Sequence, residues 1–339
     1  MKVTVIGAAG AIGTPVTRAL LAAGHQVRLV GRSVEKLKRM GFANVEPVSA
    51  DMSTEAGCRT ALEGMDAAVY TLGLPYTKKD FVQYPGMMRA CLAAAKAAGT
   101  KQLVLITNVY PYGRVGPERI TEDHARVPSS VKGEFRKQQE DLVLAAHEAK
   151  GLHTLSLRLP NFYGPGAELS VADGFVKAAI AGKTADLLGP VDLPQELCFT
   201  PDVGPVVADL LARDAAFGQA YNFAGAGTLT WREFATQIFS AAGTKPKLRV
   251  AGPTMLKVMG LFSTLMRELS EMSYLQTNPV LLDDRKLRAV LPGLKKTTYA
   301  EGIRQTVEAY RQAAVVSPPN ALKTSPVMKL ESPADAKNT

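Results

Sequence analysis

The stretch Gly7-Ala8-Ala9-Gly10-Ala11-Ile12-Gly13 decides the fold. It follows the apolar run 3–6, which predicts a short buried strand, and leads into 15–21, where apolar residues recur at helical spacing. Glycines between a strand and a helix are typical of a dinucleotide-binding turn. Gly7 permits the tight turn, Gly10 lets the backbone approach a pyrophosphate, and Gly13 lets the helix pack against the strand. The diphosphate would then accept hydrogen bonds from backbone N–H groups at the helix N-terminus. The predicted cofactor contacts in this turn are Gly7, Ala9, Gly10, Ala11, Ile12 and Gly13.

Length, composition and charge indicate a soluble enzyme-sized protein. The 339 residues are 46% hydrophobic, enough for one large core or a core with a smaller lobe. The net charge of +9 is spread along the chain without a basic block, which argues against nucleic acid and suits an anionic cofactor or substrate. No run is long enough for a membrane span, and a strand starting at residue 2 leaves no room for a signal peptide, so we expect a cytoplasmic protein.

Cysteine and histidine spacing gives no sign of a disulfide framework or a metal site. Three cysteines and four histidines are scattered along the chain without ligand spacing. We therefore expect a reduced compartment and no metal.

Strands and helices alternate through the first half of the chain. Further strands are predicted at 26–30, 45–48, 67–70, 103–106 and 154–158, with helices at 86–98 and about 132–150. This alternation predicts an α/β Rossmann fold, a doubly wound parallel sheet with helices on both faces. Beyond residue 160 it loosens, which predicts a smaller C-terminal α/β lobe that binds the substrate. The expected organisation is an NADP-binding domain at 1–160, a substrate lobe at 161–315 interleaved with the sheet, and a disordered tail at 316–339.

The end of the second strand indicates the cofactor. A carboxylate there would bind the ribose 2′-hydroxyl of NAD, but this chain has Gly31-Arg32-Ser33. The guanidinium of Arg32 and the hydroxyl of Ser33 suit a 2′-phosphate, so NADP is favoured over NAD. The alternative is that Arg32 is only a solvent-exposed loop residue.

Four further residues at the ends of strands are predicted to contact the cofactor. Asp51 can accept a hydrogen bond from the adenine amine while Met52 packs on the ring; alternatively Asp51 is the N-cap of a helix starting at Ser53. Leu72 and Gly73 follow the fourth predicted strand and complete this set.

Longer motifs resemble a known family. The glycine turn, Asp51-Met52 and the segment Leu157-Arg158-Leu159-Pro160-Asn161-Phe162-Tyr163-Gly164-Pro165-Gly166 are similar to those of the extended short-chain dehydrogenase/reductases, the NAD-dependent epimerase/dehydratase family. The resemblance extends to about residue 310, with weaker matches at Thr200-Pro201-Asp202-Val203 and Tyr221-Asn222-Phe223. It implies that Pro160, Asn161, Phe162 and Tyr163 lie beside the nicotinamide and the substrate.

The resemblance also shows a departure at the catalytic positions. The family uses a Tyr-x-x-x-Lys pair on the long helix, assisted by a Ser or Thr after the fifth strand. Aligning on Glu140 places Lys132 and Arg136 at the pair, and Asn108, preceded by Thr107, at the assisting hydroxyl. The chain thus resembles an atypical subgroup that has a Lys-Gly-x-x-Arg motif in place of the dyad.

These replacements suggest alternative proton donors. Two cations at i and i+4 repel, which would make Lys132 a better proton donor to an alkoxide held by Thr107 or Asn108. Alternatively Arg136 only anchors ribose or phosphate, and a tyrosine supplies the proton; the candidates are Tyr110, Tyr112 and Tyr163. The plainer interpretation is that Lys132 and Arg136 form a solvated helix face.

Two later segments have structural interpretations. Residues 255–269 place apolar side chains on one helical face, which predicts core packing or, if the face is open, a lid or a partner surface. The charges of Arg267, Glu268 and Glu271 are interpreted as a solvated face. Thr230 is predicted to cap a helix that begins at the sole tryptophan, Trp231.

The sequence therefore leaves more than one class of function open. The leading hypothesis is an NADP-dependent oxidoreductase acting on a small carbonyl or alcohol with an atypical site, with a homodimer as the candidate assembly. The rival is a non-catalytic NADP(H)-binding redox sensor or scaffold. A sugar-nucleotide epimerase or dehydratase is disfavoured because those reactions depend on the missing tyrosine.

Overall fold

The fold is built around a parallel sheet whose strands the sequence predicted closely. The computed structural model describes residues 1–168, 170–251, 268 and 271–316. The strands of the main sheet are β1 (Lys2–Ile6), β2 (Gln26–Gly31), β3 (Val45–Ser49), β4 (Ala67–Tyr70), β5 (Gln102–Asn108), β6 (His153–Leu159) and β11 (Ala220–Asn222). All neighbouring strands are parallel, in the order β11-β6-β5-β4-β1-β2-β3. The chain reverses its direction of progress across the sheet between β1 and β4, the place where ligands bind in such sheets.

Helices cover both faces of this sheet. They are α1 (Gly13–Ala22), α2 (Val34–Lys38), α3 (Glu55–Leu62), α4 (Lys78–Phe81), α5 (Tyr84–Ala98), α6 (Val131–Ala145), α7 (Val171–Ile180), α8 (Thr200–Leu211) and α9 (Trp231–Ala241). One hydrophobic cluster joins the sheet to α1 and α8, and a second joins it to α3, α5 and α6. The predicted Rossmann architecture is confirmed.

Smaller elements complete the C-terminal part. The remaining strands are β7 (Asn161–Tyr163), β8 (Ala185–Leu188), β9 (Pro194–Gln195), β10 (Leu197–Phe199), β12 (Leu229–Thr230) and β13 (Leu248–Ala251), which pair as β7–β10, β8–β13 and β9–β12. The remaining described helices are α10 (Tyr274–Thr277), α11 (Arg285–Val290) and α12 (Tyr299–Val316). A third cluster packs Trp231 and Phe234 with α7 and α12 residues. The predicted apolar face at 255–269, apart from residue 268, lies outside the described residues. So does the predicted tail at 316–339, apart from Val316, which is the last residue of α12.

Three local predictions can be compared with the structure. Thr230 caps α9 as predicted, since its hydroxyl accepts from Glu233 N while the Glu233 carboxylate accepts from Thr230 N. The long helix ends at Ala145 rather than near 150, and Glu148 just beyond it has a left-handed backbone (φ 62°). The helix after β3 starts at Glu55 with Thr54 as its cap, so Asp51 is not the N-cap. Among the described residues, no helix combines the length and apolarity needed to cross a membrane.

Candidate nucleotide site and the Lys132 pocket

The glycine turn lies at the carboxyl end of β1, and its spacing is dictated by backbone contacts. Gly7 adopts φ +87°, and a Cβ there would lie 3.0 Å from the backbone N of Leu72. A Cβ on Gly13 would lie 2.3 Å from the Gly7 carbonyl oxygen and 2.7 Å from Ala8 Cα. Side chains are therefore excluded at both ends of the turn, which brings α1 against β1 as predicted.

The turn leaves a row of backbone donors without acceptors. Gly7 N and Ala8 N donate to the Val30 carbonyl, and Gly10 N donates to the Gly7 carbonyl. In contrast, no acceptor is found within the described part of the chain for the N–H groups of Ala9, Ala11, Ile12 and Gly13. The first turn of α1 also lacks a side-chain cap and an acidic residue. Free N–H groups at the positive end of a helix fit a dinucleotide diphosphate.

Arg32 has a free guanidinium at the end of β2. It is exposed, and its side chain donates to no acceptor within the described residues. Ser33 is already engaged, since its hydroxyl donates to the Glu35 carboxylate (3.0 Å) and accepts from Lys36 N as the cap of α2. Of the two residues predicted to bind a 2′-phosphate, only Arg32 has a side chain without a hydrogen-bond partner among the described residues.

Asp51 lies near Arg32, at the end of β3. Its Oδ1 accepts hydrogen bonds from the backbone N (2.9 Å) and the hydroxyl (2.7 Å) of Ser53. These bonds, and secondarily the charge of Arg32, hold the pKa of the Asp51 carboxyl below its usual range. Asp51 is exposed and ionised at neutral pH, while Met52 beside it is buried. An exposed carboxylate above a buried methionine suits the proposed contact with an adenine ring.

The other predicted cofactor contacts lie at the same edge of the sheet. Leu72 and Gly73 follow β4 next to the glycine turn. Pro160 and Asn161 follow β6 and line a narrow cleft together with Val109, Gln195, Glu196, Leu275 and Val280. Phe162, next in the chain, is half-buried.

Lys132 is buried inside an acidic pocket near the start of α6. Its side chain is 0% exposed, and its Nζ donates to the carboxylates of Glu268 and Glu271, the latter at 2.8 Å. It also donates to the Glu268 carbonyl oxygen (3.3 Å) and lies 5.1 Å from the centroid of the Tyr76 ring. The interpretation of Lys132 as part of a solvated helix face is therefore wrong. The same holds for the solvated face assigned to Glu268 and Glu271, because their side chains are 13% and 14% exposed.

Glu271 serves both Lys132 and the helix that carries it. One carboxylate oxygen accepts from the backbone N of Val131 (2.6 Å), the first residue of α6, so Glu271 also compensates the positive end of this helix. Burial raises the pKa of Glu271, but the hydrogen bond and charge of Lys132 lower it by more, so its pKa lies below the usual value. The Glu271 carboxyl is therefore ionised at neutral pH.

Arg136 lies one turn further along α6 and has different partners. Its guanidinium donates to Gln139 Oε1 (2.7 Å) and the Ile106 carbonyl (3.4 Å), and it stacks on the Tyr84 ring at 4.5 Å. With 6% exposure it is not solvated either. Thr107 is buried, and its hydroxyl has no partner within the described residues, whereas Asn108 Oδ1 accepts from Tyr110 N (3.1 Å).

The three candidate tyrosines differ in access. Tyr112 is 1% exposed, and its hydroxyl takes part in hydrogen bonds with Arg158 and Asn222. Tyr163 is also 1% exposed and lies in the aromatic core of the C-terminal lobe, where burial raises its pKa far above the usual value. Tyr110 is only half-buried and shares a hydrogen bond with Tyr76, the residue whose ring faces Lys132. The structure thus places Lys132, Arg136 and Tyr110 close to one another. Tyr163 lies apart from them, in the third hydrophobic cluster.

Comparisons with known proteins agree with this geometry. A family model described as NAD(P)H-binding matches residues 7–151. The 2′-dehydrokanamycin reductase of Streptomyces kanamyceticus is 29% identical over 253 residues, 72% of this chain and 67% of that protein. The 3 beta-hydroxysteroid dehydrogenase/Delta 5→4-isomerase of Mycobacterium tuberculosis is 25% identical over 282 residues, 76% of this chain and 74% of that protein.

Solved structures show the same fold. The dTDP-glucose 4,6-dehydratase from Streptomyces venezuelae, solved with NAD, superposes with a TM-score of 0.78 at 22% identity, covering 94% of this chain and 99% of that one. The UDP-glucose 4-epimerase from Thermus thermophilus, also with NAD, gives 0.77 at 23%, covering 92% and 100%. These comparisons show an NAD(P)H-binding domain at residues 7–151 and the fold of the extended short-chain dehydrogenase/reductases.

Sequence reasoning missed the partners that surround Lys132. Glu268 and Glu271 are 136 and 139 positions away from it in the chain, and Tyr76 lies in the loop after β4. One signal was available in the sequence. Glu268 and Glu271 are three positions apart, a spacing that places two carboxylates on one helix face, where they can bind a single cation. Nothing in the local sequence indicated which cation that was.

Proposed function

We propose that this chain is an NADP-dependent oxidoreductase that interconverts a small carbonyl compound and its alcohol. The observation that carries the proposal is the set of N–H groups without an acceptor within the described residues, those of Ala9, Ala11, Ile12 and Gly13. The guanidinium of Arg32, which also donates to no described acceptor, lies nearby. The first suits the diphosphate, and the second suits a 2′-phosphate. The relatives named as a reductase and a dehydrogenase support carbonyl–alcohol chemistry. The solved neighbours carry NAD, so the NADP preference rests on Arg32.

The chain supplies the residues that bind the nucleotide and move the proton. When bound, the nicotinamide supplies the hydride chemistry. Lys132 Nζ is the proposed proton donor to the developing alkoxide, and Glu268 and Glu271 hold it in place until a substrate displaces them. Thr107 has a hydroxyl without a partner, which suits a role in holding the substrate oxygen. Tyr110 is the alternative donor, while Arg136 anchors the ribose or a phosphate.

A second candidate function is favoured by the Lys132 pocket itself. Every described contact of Lys132 Nζ is with another residue of this chain, and two carboxylates neutralise its charge. A protein that only binds NADP(H), as a redox sensor or scaffold, needs no accessible proton donor. In that case Lys132, Glu268 and Glu271 tie α6 to the C-terminal part of the chain.

The test is a titration of the purified chain with NADPH and NADH, followed by turnover assays with a panel of carbonyl compounds. We expect tighter binding of NADPH than of NADH, and slow oxidation of NADPH by at least one carbonyl. Tight NADPH binding without turnover on any compound would favour the sensor. Equal affinity for both cofactors would contradict the role of Arg32. A nucleotide-sugar that raises the melting temperature would restore the epimerase or dehydratase hypothesis.

A further inference from the structure

A second cleft, of about 560 Å³, opens in the C-terminal part and shares no lining residue with the glycine turn or the Lys132 pocket. Its walls are the loop 224–227, residues 282–285 and 288, and Arg119, Lys296 and Thr298. We call it the basic cleft. Its volume lies in the range of small-molecule sites.

Two arginines are anchored in the basic cleft by one nitrogen each. Arg119 donates through its NH1 to Glu196 Oε1 (2.8 Å) and the Leu282 carbonyl (2.6 Å). Arg288 donates through its Nε to Asp284 Oδ1 (3.0 Å). The other guanidinium nitrogens of both residues have no acceptor within the described ranges, and the side chains are 42% and 47% exposed. Each arginine is thus held in place with most of its donors available.

The charge of the basic cleft is not balanced. Asp284 is shared by two cations, because its other oxygen accepts from Lys296 Nζ, which is 7% exposed and also donates to the Gly225 carbonyl (3.2 Å). Arg285 at the rim pairs with Asp283, and Arg119 with Glu196. Four cations therefore face three carboxylates, and one positive charge remains.

The loop beside these cations adds backbone donors. Between residues 224 and 228, no N–H group donates to an acceptor within the described residues. The loop packs tightly, since a Cβ on Gly225 would lie 2.4 Å from the Leu197 carbonyl oxygen. Because this loop lines the basic cleft, its free N–H groups are available as hydrogen-bond donors to an anion.

We propose that the basic cleft binds the phosphate or carboxylate group of a small organic anion. Guanidinium forks with free donors pair with both kinds of oxyanion, and the buried ammonium of Lys296 adds a fixed charge. Glu196 connects this site to the narrow cleft beside Pro160 and Asn161, because it lines that cleft while accepting from Arg119. The proposal stands independently of the redox reaction.

The experiment is calorimetric titration of the full chain at fixed ionic strength with inorganic pyrophosphate and, separately, with citrate. Each titration is run with and without excess NADPH, which occupies the glycine turn if it binds. The variants are Arg288→Gln, which removes charge and fork, and Arg288→Lys, which keeps the charge. The control is Arg232→Gln, because Arg232 is 48% exposed and paired with Asp192 outside the basic cleft. Melting temperatures check that all variants fold.

We expect saturable binding of at least one anion that persists in excess NADPH. Arg288→Gln weakens it by about tenfold, the scale of a charge-assisted hydrogen bond, Arg288→Lys weakens it less, and Arg232→Gln leaves it unchanged. Pyrophosphate without citrate identifies a phosphate ligand, and the reverse a carboxylate. Absence of saturable binding of either anion, unchanged binding in Arg288→Gln, or equal weakening in Arg232→Gln overturns the proposal. If NADPH does not bind, the titrations without it decide by the same comparison.

Discussion

The glycine turn and the Lys132 pocket differ in how their polar groups are satisfied. At the turn, the N–H groups of Ala9, Ala11, Ile12 and Gly13 have no acceptor within the described residues. In the pocket, Lys132 Nζ contacts two carboxylates, a carbonyl and an aromatic ring. Unpaired groups at a surface are prepared for a ligand, whereas a paired charge has to be released before it can act. The glycine turn is therefore ready to bind a nucleotide, whereas Lys132 must lose its ion pairs before it can take part in chemistry.

The largest expected effect comes from filling the turn. In Gly13→Ala, the new Cβ meets backbone atoms at 2.3 and 2.7 Å, so the turn itself must move. We expect NADPH affinity to fall by at least about a hundredfold and the free energy of unfolding to fall by about 1–3 kcal/mol. Fluorescence titration with NADPH and thermal melting measure the two effects.

A matched glycine controls for the substitution itself. Gly86 lies within α5, and a Cβ there meets no atom within 4 Å. Gly86→Ala should leave NADPH affinity unchanged and stabilise the helix slightly. Normal NADPH affinity in Gly13→Ala would show that the turn is not the diphosphate site.

Removing the charge of Lys132 tests the pocket. In Lys132→Met we expect turnover to fall by about 10²–10⁴-fold, the usual contribution of a general acid. NADPH affinity should change little, because the pocket is not part of the turn. The melting temperature should also fall, since Glu268 and Glu271 lose their partner in a site where both are 13–14% exposed. Steady-state kinetics, NADPH titration and melting follow the three quantities.

A second substitution separates chemistry from stability. Adding Glu271→Gln to Lys132→Met removes one uncompensated carboxylate, so the melting temperature should partly recover while turnover stays low. Unchanged turnover in Lys132→Met would exclude this residue as the donor. Tyr110→Phe then becomes the test of the alternative donor.

The two sites also differ in how far the sequence could predict them. The turn consists of consecutive residues between an apolar strand and an amphipathic helix, so local pattern was sufficient, and β4 was predicted at its observed bounds. The pocket depends on an ion pair across 139 positions, which no local pattern contains. Lys132 and Arg136 were expected to repel each other, but the fold gives them separate partners: carboxylates for Lys132, and Gln139 with the Tyr84 ring for Arg136.

Cofactor choice is the next prediction in size. Arg32→Ala should weaken NADPH binding by roughly 10- to 100-fold, because charge-assisted hydrogen bonds contribute about 1.5–3 kcal/mol. NADH affinity should not change, since it lacks the 2′-phosphate. Arg39→Ala, at the C-cap of nearby α2, removes the same charge and should affect neither cofactor. If both variants lose NADPH affinity equally, the effect is general electrostatics rather than a contact of Arg32.

The smallest expected effect is the pH dependence of the Lys132 pocket. The pKa of Glu271 is lower in the folded protein than its usual value, so the ionised form is favoured by folding. This contribution is complete above the pKa of the unfolded chain and is lost as the pH falls through the lower folded pKa. The melting temperature of the unsubstituted protein should therefore exceed that of Glu271→Gln at neutral pH, and the difference should shrink on acidification. A difference that stays constant down to pH values below the folded pKa would mean that Glu271 stabilises α6 by packing rather than by its charge.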